Sequence, residues 1–411
     1  MKRPALLALA LFGANLHAEN WPTWRGPRLD GTSIEKNFPT KWSATENVAW
    51  RTELPGGHAS AIVWNDKVFT VGANEESGER MLFCLDRANG KILWQQSVVK
   101  CAMEHKHKEN SFASSTPATD GQRVFCSFLD QNEVVVAAYD MTGKPLWTKR
   151  PGVFSSVHGF CSTPILYKDK VIVNCDHDGP GYIVALAQND GRELWRIERP
   201  NNTRSYAAPL IREAAGKMQM VLAGSKCVAS YDPDTGKLIW MIDGPTDQFV
   251  ASMVYSERTK LFYMTGGFPD HHILAIKPDG VGNVTDTHIA WHHHAPQGVA
   301  YVPSPIIEGD LFLIADDIGM AHAFDAKTGS IVWSQRFGRE HASLVSTDGL
   351  VYFLNDKGVC NIVRVTGEKV EVVATNELGE NTYASPALSD GQIFLRGDKS
   401  LFCIGRRVQK N

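Results

Sequence analysis

Residues 85–94, with the sequence LDRANGKILW, decide the fold because variants of this phrase recur along the chain. The phrase is an Asp-x-x-x-Gly-Lys turn followed by an apolar pair and a Trp. Clear copies lie at 139–147, 186–195, 231–240 and 324–333, a looser copy at 276–291, and a copy without the Trp at 363–373. Gly supplies the positive φ of a tight hairpin and Asp caps the turn, so each copy predicts two antiparallel strands. Repetition at a regular spacing predicts a repeat architecture.

A second phrase precedes each hairpin and marks the first strand of each repeat. Its copies begin at Ala59-Ser60, Ser115-Thr116-Pro117, Ser162-Thr163-Pro164, Ala207-Ala208-Pro209, Ala251-Ser252, Pro303-Ser304-Pro305, Ala342-Ser343 and Ala384-Ser385-Pro386. These eight starts are roughly 40 to 55 residues apart, the spacing of four-stranded propeller blades. The sequence therefore predicts an all-β fold, an eight-bladed β-propeller of four-stranded antiparallel blades, with seven blades as the alternative.

The last repeat, which starts at Ala384, leaves room for only three strands. Residues 47–54, NVAWRTEL, have the pattern of an isolated fourth strand with its Trp. An N-terminal strand that completes the C-terminal blade would close the ring and remove an open sheet edge. We therefore expect a signal peptide at 1–18, an N-terminal extension at 19–46 and one propeller domain at 47–407.

The recurring Trp has a structural interpretation and a functional one. It could pack between adjacent blades or stack on a bound cofactor; its presence in nearly every copy favours packing. The predicted structural residues are Trp50, Trp94, Trp147, Trp195, Trp240, Trp291 and Trp333.

Composition and the N-terminus indicate the class of protein and its location. Of the 411 residues 43% are hydrophobic and 21% charged, with a net charge of -3, which argues against nucleic acid or an anionic membrane surface as partner. Lys2 and Arg3, the apolar stretch 5–13 and Leu16-His17-Ala18 form a secretory signal pattern. No later apolar stretch is long enough to span a bilayer, so we expect a periplasmic or secreted protein that does not span the membrane.

The eight cysteines are scattered, with no metal-binding Cys-x-x-Cys spacing and no adjacent pair. Several lie in strand-like segments, which favours small buried apolar side chains. Cys101, in a loop, is the best candidate for a disulfide.

The Asp-x-x-x-Gly-Lys-x-x-Trp phrases resemble the PQQ-like propeller repeats of quinoprotein alcohol dehydrogenases. They also resemble those of the propeller lipoprotein in the outer-membrane β-barrel assembly machinery. Residues 21–33, WPTWRGPRLDGTS, and 266–272, GGFPDHH, look like segments of exported PQQ-like repeat proteins. The resemblance covers nearly the whole mature chain and is specific for the fold, but one fold supports many activities.

For the quinoprotein enzymes the resemblance implies a quinone held between a Trp and a ring of two adjacent disulfide-bonded cysteines. It also implies a calcium ion on carboxylate and amide oxygens and a carboxylate base. This chain lacks the adjacent cysteines and the long insertions, and none of its acidic residues matches the family's calcium or base positions. We therefore expect no cofactor and lean against an enzyme; PQQ with Ca²⁺, acting on alcohols or sugars, is the alternative.

Two sets of loops should meet on one face of a propeller, the loops that lead into the innermost strands and those that join the second and third strands. Both sets carry His, Tyr and carboxylate residues, which predicts a polar funnel for a ligand, a metal or a peptide. The alternative is that these side chains cap turns and pack between loops. The funnel candidates are His58, His158, Asp176, His177, Asp178, Arg204, Tyr206, Asp270, His271, His272, Tyr301, Asp316, Asp317, His341 and Tyr383.

His105 and His107 are weak metal-ligand candidates, since residues i and i+2 of an extended chain point the same way. His292, His293 and His294 read more readily as part of an edge strand.

The function that the sequence favours is an exported, non-catalytic binding or scaffolding propeller of the cell envelope. Its expected partner is an envelope protein or peptide, or a small polar ligand, and we expect a monomer. The alternatives are the quinoprotein oxidoreductase and a metal- or carbohydrate-binding module.

Overall fold

The computed structural model describes residues 19–295, 298–367 and 369–407. In this part of the chain every regular element is a β-strand, and eight sheets form a ring around a central channel. The prediction of an eight-bladed β-propeller is confirmed, and the alternative of seven blades is wrong. The expected signal peptide at 1–18 lies outside the described residues. No described helix has the length and apolar character needed to cross a bilayer.

The strands are numbered in chain order. The first two are β1 (Thr32–Ser33) and β2 (Val48–Glu53). Blade 1 contains β3 (Ile62–Trp64), β4 (Lys67–Asn74), β5 (Glu79–Asp86) and β6 (Ile92–Lys100). Blade 2 contains β7 (Ala118–Thr119), β8 (Arg123–Asp130), β9 (Glu133–Asp140) and β10 (Pro145–Val153). Blade 3 contains β11 (Ile165–Tyr167), β12 (Lys170–Cys175), β13 (Tyr182–Ala187) and β14 (Glu193–Glu198). Blade 4 contains β15 (Leu210–Ala214), β16 (Lys217–Gly224), β17 (Cys227–Tyr231) and β18 (Leu238–Asp243).

The remaining blades follow the same order. Blade 5 contains β19 (Val254–Ser256), β20 (Leu261–Gly266), β21 (His272–Ile276) and β23 (Ile289–His294), while β22 (Gly282–Asn283) pairs in parallel with β18 of blade 4. Blade 6 contains β24 (Ile306–Glu308), β25 (Leu311–Ala315), β26 (Met320–Asp325) and β27 (Ile331–Arg336). Blade 7 contains β28 (Val345–Thr347), β29 (Leu350–Leu354), β30 (Val359–Thr366) and β31 (Lys369–Glu377). Blade 8 contains β32 (Ala387–Ser389), β33 (Gln392–Arg396) and β34 (Ser400–Ile404), with β2 as its outer strand.

The N-terminal strand closes the ring as the sequence predicts. Strand β2 pairs antiparallel with β34, and Thr52 lies opposite Leu401. The outer strand of blade 8 therefore comes from the opposite end of the chain, so one sheet joins the N-terminal and C-terminal parts of the chain.

Small residues at the start of each blade form a belt of hydroxyl groups near the axis. A backbone N–H of one blade donates to a Ser or Thr hydroxyl of the next, as in Ser343 N to Ser385 Oγ at 2.9 Å. The other links are Ser60 to Thr116, Thr116 to Thr163, Ala208 to Ser252, Ser252 to Ser304, and Ser304 to Ser343. Ala208 has no hydroxyl to accept from blade 3. Small residues are needed here because the inner strands converge towards the axis.

In five blades the outer-strand Trp donates a hydrogen bond to the Asp-x-x-x-Gly turn region of the next blade. Trp147 Nε1 of blade 2 donates to the Gln188 carbonyl of blade 3 at 2.9 Å, and its ring lies against Gly191. Equivalent bonds run from Trp50 to Arg87, Trp94 to Met141, Trp195 to Pro233 and Trp291 to Ala326. Trp240 is buried and instead donates to Gln219 of its own blade, and Trp333 Nε1 has no hydrogen-bond partner among the described residues.

The first part of the segment before β2, residues 19–33, contacts the inner strands of several blades, whereas Thr40 and Trp42 bond to Asn376 on the outer strand of blade 7. Trp21 forms a bridge with Val63 of blade 1, and β1 pairs in parallel with β28 of blade 7. Arg25 is buried and donates to the carbonyls of Leu344 and Pro305, in blades 7 and 6. A segment that the sequence marks off as an extension therefore packs along the inner strands.

All eight cysteines lie among the described residues and are unpaired, including Cys101, the candidate for a disulfide. Cys101 accepts a hydrogen bond from the Arg80 guanidinium through its sulfur at 3.2 Å.

Candidate functional site

A cavity of about 420 Å³ lies in the central channel, on the face where the loops lead into the innermost strands. Its wall includes members of the hydroxyl belt, and its mouth carries imidazole, phenol and charged side chains. Eight of the predicted funnel residues line it: His58, His158, Tyr206, His271, Tyr301, Asp317, His341 and Tyr383. Its size is within the range of small-molecule sites.

Trp24 contributes an aromatic surface to this cavity from the channel segment. Its Nε1 lies 3.2 Å from Ser385 Oγ in the hydroxyl belt, and its ring remains partly exposed. The neighbouring Trp21 and Arg25 are buried and hold the segment in place. An indole held in this way offers a rigid apolar platform inside a polar cavity.

Two groups of contacting rings line the cavity. In the first, the Tyr383 ring lies between His58 and His341, with ring centroids 4.4 and 5.1 Å away. In the second, the His158 ring contacts His107 at 5.5 Å and Tyr206 at 5.9 Å. The rings restrict one another, so the cavity wall is largely preformed.

Burial favours the neutral forms of His58 and His158. Loss of solvent lowers the pKa of His58 to about 4, with Lys106 and His341 adding positive charge nearby. Burial and Arg204 lower the pKa of His158 in the same way. A neutral imidazole can donate through one nitrogen and accept through the other, which suits a polar ligand.

Two polar side chains at the mouth, Asp317 and His341, have defined partners. Asp317 accepts from the amides of Tyr301 and Val302 at 2.8 and 3.2 Å, and burial raises its pKa. His341 Nδ1 is 2.9 Å from Asp356 Oδ2, which directs the other ring nitrogen away from Asp356. Both side chains are therefore oriented within the cavity before any ligand binds.

Four predicted residues on the loops of blades 3 and 4 form ion pairs or pack outside the cavity lining. Asp176 pairs with Arg199 at 2.8 Å, with both side chains fully buried. Asp178 pairs with Arg204 at the surface. His177 Nε2 lies 3.2 Å from the Pro180 carbonyl. These residues therefore stabilise the loops and do not line the cavity.

On the loops of blades 5 and 6, some predicted residues line the cavity and others do not. His271 lines the cavity, whereas Asp270 is exposed. His272 is buried and stacks on His292 and His294, at centroid distances of 5.1 and 4.4 Å, with His292 and His294 on the outer strand β23. Asp316 accepts from the amides of Ile318 and Met320 in its turn.

The described residues contain no group of three or more His, Cys, Asp or Glu side chains placed to hold a metal ion. His105 is exposed, and His107 lines the cavity next to Glu109. Calcium in a quinoprotein site needs several oxygen ligands, while the cavity carboxylate of Asp317 is bound to two amides. Trp24 offers a surface for a planar ring, and the other carboxylate of the cavity lining, Glu109, is bound to Arg339.

The cavity residues absent from the predicted set include Trp24, Glu109, Gln248 and Arg339. Trp24 lies in the WPTWRGP motif, but no local pattern shows that this segment enters the channel. Arg339 lies two residues before His341, and that proximity was the one available signal.

No curated protein matches the chain by sequence. Among solved structures, BamB from Moraxella catarrhalis is 13% identical, with a TM-score of 0.61 over 86% of this chain and 97% of that one. The Dos1 propeller is 11% identical, with a TM-score of 0.59 over 88% and 96%. A europium-containing methanol dehydrogenase is 14% identical over 84% and 89%, and its TM-score of 0.47 supports no argument. At these identities the similarity shows the fold alone.

The family described as outer membrane protein assembly factor BamB matches residues 40–205, 80–256 and 179–410. The overlapping matches follow the repeats and cover nearly all of the ring. The chain therefore belongs to this family of PQQ-like propellers.

Proposed function

We propose that this protein is an exported, non-catalytic binding propeller of the cell envelope, and that its ligand binds in the central cavity. One observation carries the proposal: loops from separate blades bring eight predicted polar and aromatic residues together around one preformed cavity beside Trp24. Small-molecule sites combine such apolar surfaces with a few oriented polar groups.

Export is supported by the signal pattern at 1–18 and by the family's description as an outer membrane assembly factor. Cell fractionation with N-terminal sequencing tests it. We expect the mature protein in the envelope or medium, beginning at Glu19; a cytoplasmic protein that retains Met1 would contradict export.

Ligand binding is tested by saturation-transfer NMR with a panel of monosaccharides, small carboxylic acids and dipeptides. Ala208 lines the cavity, so A208W would fill it. We expect at least one compound to bind the wild type and to lose binding in A208W. A matched control is A215W, at an exposed turn of blade 4. Equal binding to wild type and A208W, or no binding across the panel, would argue against this site.

A protein partner on the same face is the second candidate. Phe268 and Ile318, in the loops that join the second and third strands of blades 5 and 6, are 54% and 55% exposed. The family's description also supports a protein partner. Photo-crosslinking residues placed at 268 and 318 should give an adduct in cells, and one placed at Val281, which is 75% exposed between blades 4 and 5, should give none.

The quinoprotein alternative has a direct test. Thermal unfolding is measured without additions, with Ca²⁺, and with PQQ plus Ca²⁺, because any ligand of the native state raises Tm. We expect no rise specific to PQQ. A rise of several degrees only when PQQ is present would favour the oxidoreductase.

A further inference from the structure

The loop between blades 1 and 2 is the longest of the loops that lead into innermost strands, and it lies over the cavity. It leaves β6 at Lys100 and enters β7 at Ala118. The buried Arg80 holds its beginning through the Cys101 carbonyl at 3.0 Å and through Glu104. Its end is fixed where the amides of His58 and Ala59 donate to the Ala113 carbonyl. The stretch between these anchors contains His105, His107 and Lys108, which are exposed.

Glu109 extends from this loop to the far side of the cavity mouth. Its carboxylate oxygens accept hydrogen bonds from both terminal nitrogens of Arg339, at 2.8 and 3.1 Å. Arg339 belongs to the loop that leads into blade 7, which is separated from blade 2 by blades 8 and 1 in the ring. The ion pair therefore joins two loops that are not neighbours.

The groups around this carboxylate come from separate parts of the mouth. His341 Nε2 is 3.9 Å and His107 Nδ1 is 4.0 Å from the same oxygen, Oε2 of Glu109. Asp356 fixes the His341 ring through Nδ1, so Nε2 faces Glu109. A guanidinium fork and the His341 imidazole thus converge on one carboxylate at a cavity lined by aromatic rings, while His107 Nδ1 accepts from the Glu109 amide at 3.3 Å.

We propose that Arg339 and His341 form a subsite for the carboxylate group of the ligand, and that Glu109 occupies it as an internal substitute. A small carboxylic acid would replace Glu109 on Arg339 and place its body in the cavity near Trp24. The Glu109 side chain would then turn away from Arg339, while the loop stays held where the His107 amide and Asn110 Nδ2 donate to the His158 carbonyl at 3.3 and 2.8 Å. This inference rests on the proposed function, because it names the ligand class for that cavity.

The replacement is energetically accessible. Arg339 is 49% exposed in its side chain and Glu109 is 28% exposed, so their pair faces water. Exposed ion pairs change an equilibrium constant by less than about fivefold. A ligand that matches the carboxylate and adds apolar contact could therefore displace Glu109.

The test uses 4-fluorobenzoate as probe and uncharged 4-fluorobenzamide as its matched analogue, followed by ¹⁹F NMR titration at pH 7. In E109Q the internal competitor loses its charge, so benzoate should bind about fivefold more tightly than to wild type. In R339Q, benzoate binding should weaken by about tenfold or more. Benzamide should change little in either variant.

E133Q is the matched control, because Glu133 also forms an exposed ion pair, with Arg150 at 3.1 Å, on the outer part of blade 2. It should bind benzoate as the wild type does. Thermal unfolding of each variant establishes that it is folded.

Two results would overturn the inference in different ways. If benzamide binds as well as benzoate and A208W abolishes both, the cavity is a ligand site but not a carboxylate site. If neither probe binds the wild type or any variant, the assignment of a carboxylate subsite is wrong. Binding of the monosaccharides, carboxylic acids and dipeptides to wild type and A208W then decides separately whether the cavity binds ligands at all. If the affinity for benzoate is unchanged in E109Q, Glu109 does not compete with the ligand carboxylate for Arg339.

Discussion

Asp176 and Asp178 lie two residues apart in one loop, but their carboxylates have different surroundings. Asp176 is fully buried on Arg199 and also accepts from Ser205 Oγ at 2.8 Å. Asp178 meets Arg204 at the surface. The two residues look alike in the sequence, so the difference depends on the strands that pack over one of them.

We expect D176N to destabilise the protein strongly because it leaves the Arg199 guanidinium buried without its counter-charge. The free energy of unfolding should fall by about 3–5 kcal/mol. D178N is the control and should cost less than about 1 kcal/mol. Urea unfolding measures both; similar losses in the two variants would show that the buried pair has no special role.

His58 should make stability depend on pH. Burial first, and then the positive charges of Lys106 and His341, hold its pKa at about 4, below the 6.5 of a free histidine. Between these values the unfolded chain takes up a proton that the native protein does not. The contribution of His58 is therefore complete above pH 6.5 and is lost as the pH falls towards 4.

H58Q should reduce this dependence. Between pH 7 and pH 5 the wild type should lose about 1–2 kcal/mol of unfolding free energy more than H58Q. Urea unfolding at the two pH values provides the comparison. An equal loss in the two proteins would place the titrating group elsewhere.

At the scale of elements, the contact between an outer-strand Trp and the next blade's turn determines how blades join. Gly191 has a φ of 70°, and a Cβ there would lie 2.7 Å from the Trp147 ring. The sequence motif therefore encodes two things at once, a hairpin within a blade and a surface that accepts the preceding blade.

A double-mutant cycle tests this coupling. W147A should cost about 3–5 kcal/mol, and G191A about 1–3 kcal/mol. The double variant should lose less than the sum, because removing the Trp ring also removes the clash. G216A is the control: Gly216 has a φ of 72° and no heavy atom within 4 Å of the added Cβ, so it should show only backbone strain, about 1 kcal/mol. Strict additivity would mean that Trp147 and Gly191 act independently.

At the scale of the whole molecule, two N-terminal segments have separate roles. Strand β2 completes blade 8 by pairing with β34. Residues 19–33, before it, contact the inner strands of several blades, and Trp24 lines the cavity. One segment supplies a missing sheet strand, and the other joins blades along their inner edges.

Two deletions should separate these roles. Removal of 19–46 should lower Tm but leave a monomeric β-protein that no longer binds in the cavity. Removal of 19–54 also takes away β2 and exposes the edge of β34, so we expect aggregation. Size-exclusion chromatography and thermal unfolding distinguish the two; a monomeric longer deletion with an unchanged Tm would contradict closure by β2.

Sequence patterns were sufficient to predict the propeller fold, with eight blades favoured over seven, and the strand that closes the ring. Each of these follows from local chemistry repeated along the chain: Gly and Asp form the hairpins, and small residues begin the inner strands. The orphan strand at 47–54 could be recognised because its partner blade lacked a strand.

The identity of the polar residues around the cavity became clear only from the folded structure. His271 lines it while His272 is buried against other histidines, and the carboxylate of Asp176 is taken by Arg199. The positions of Trp24, Glu109 and Arg339 likewise depend on segments that are distant in sequence. The repeat pattern predicts that these loops lie on one face of the propeller. The direction and the partners of each side chain depend on packing between blades, and no single repeat contains that information.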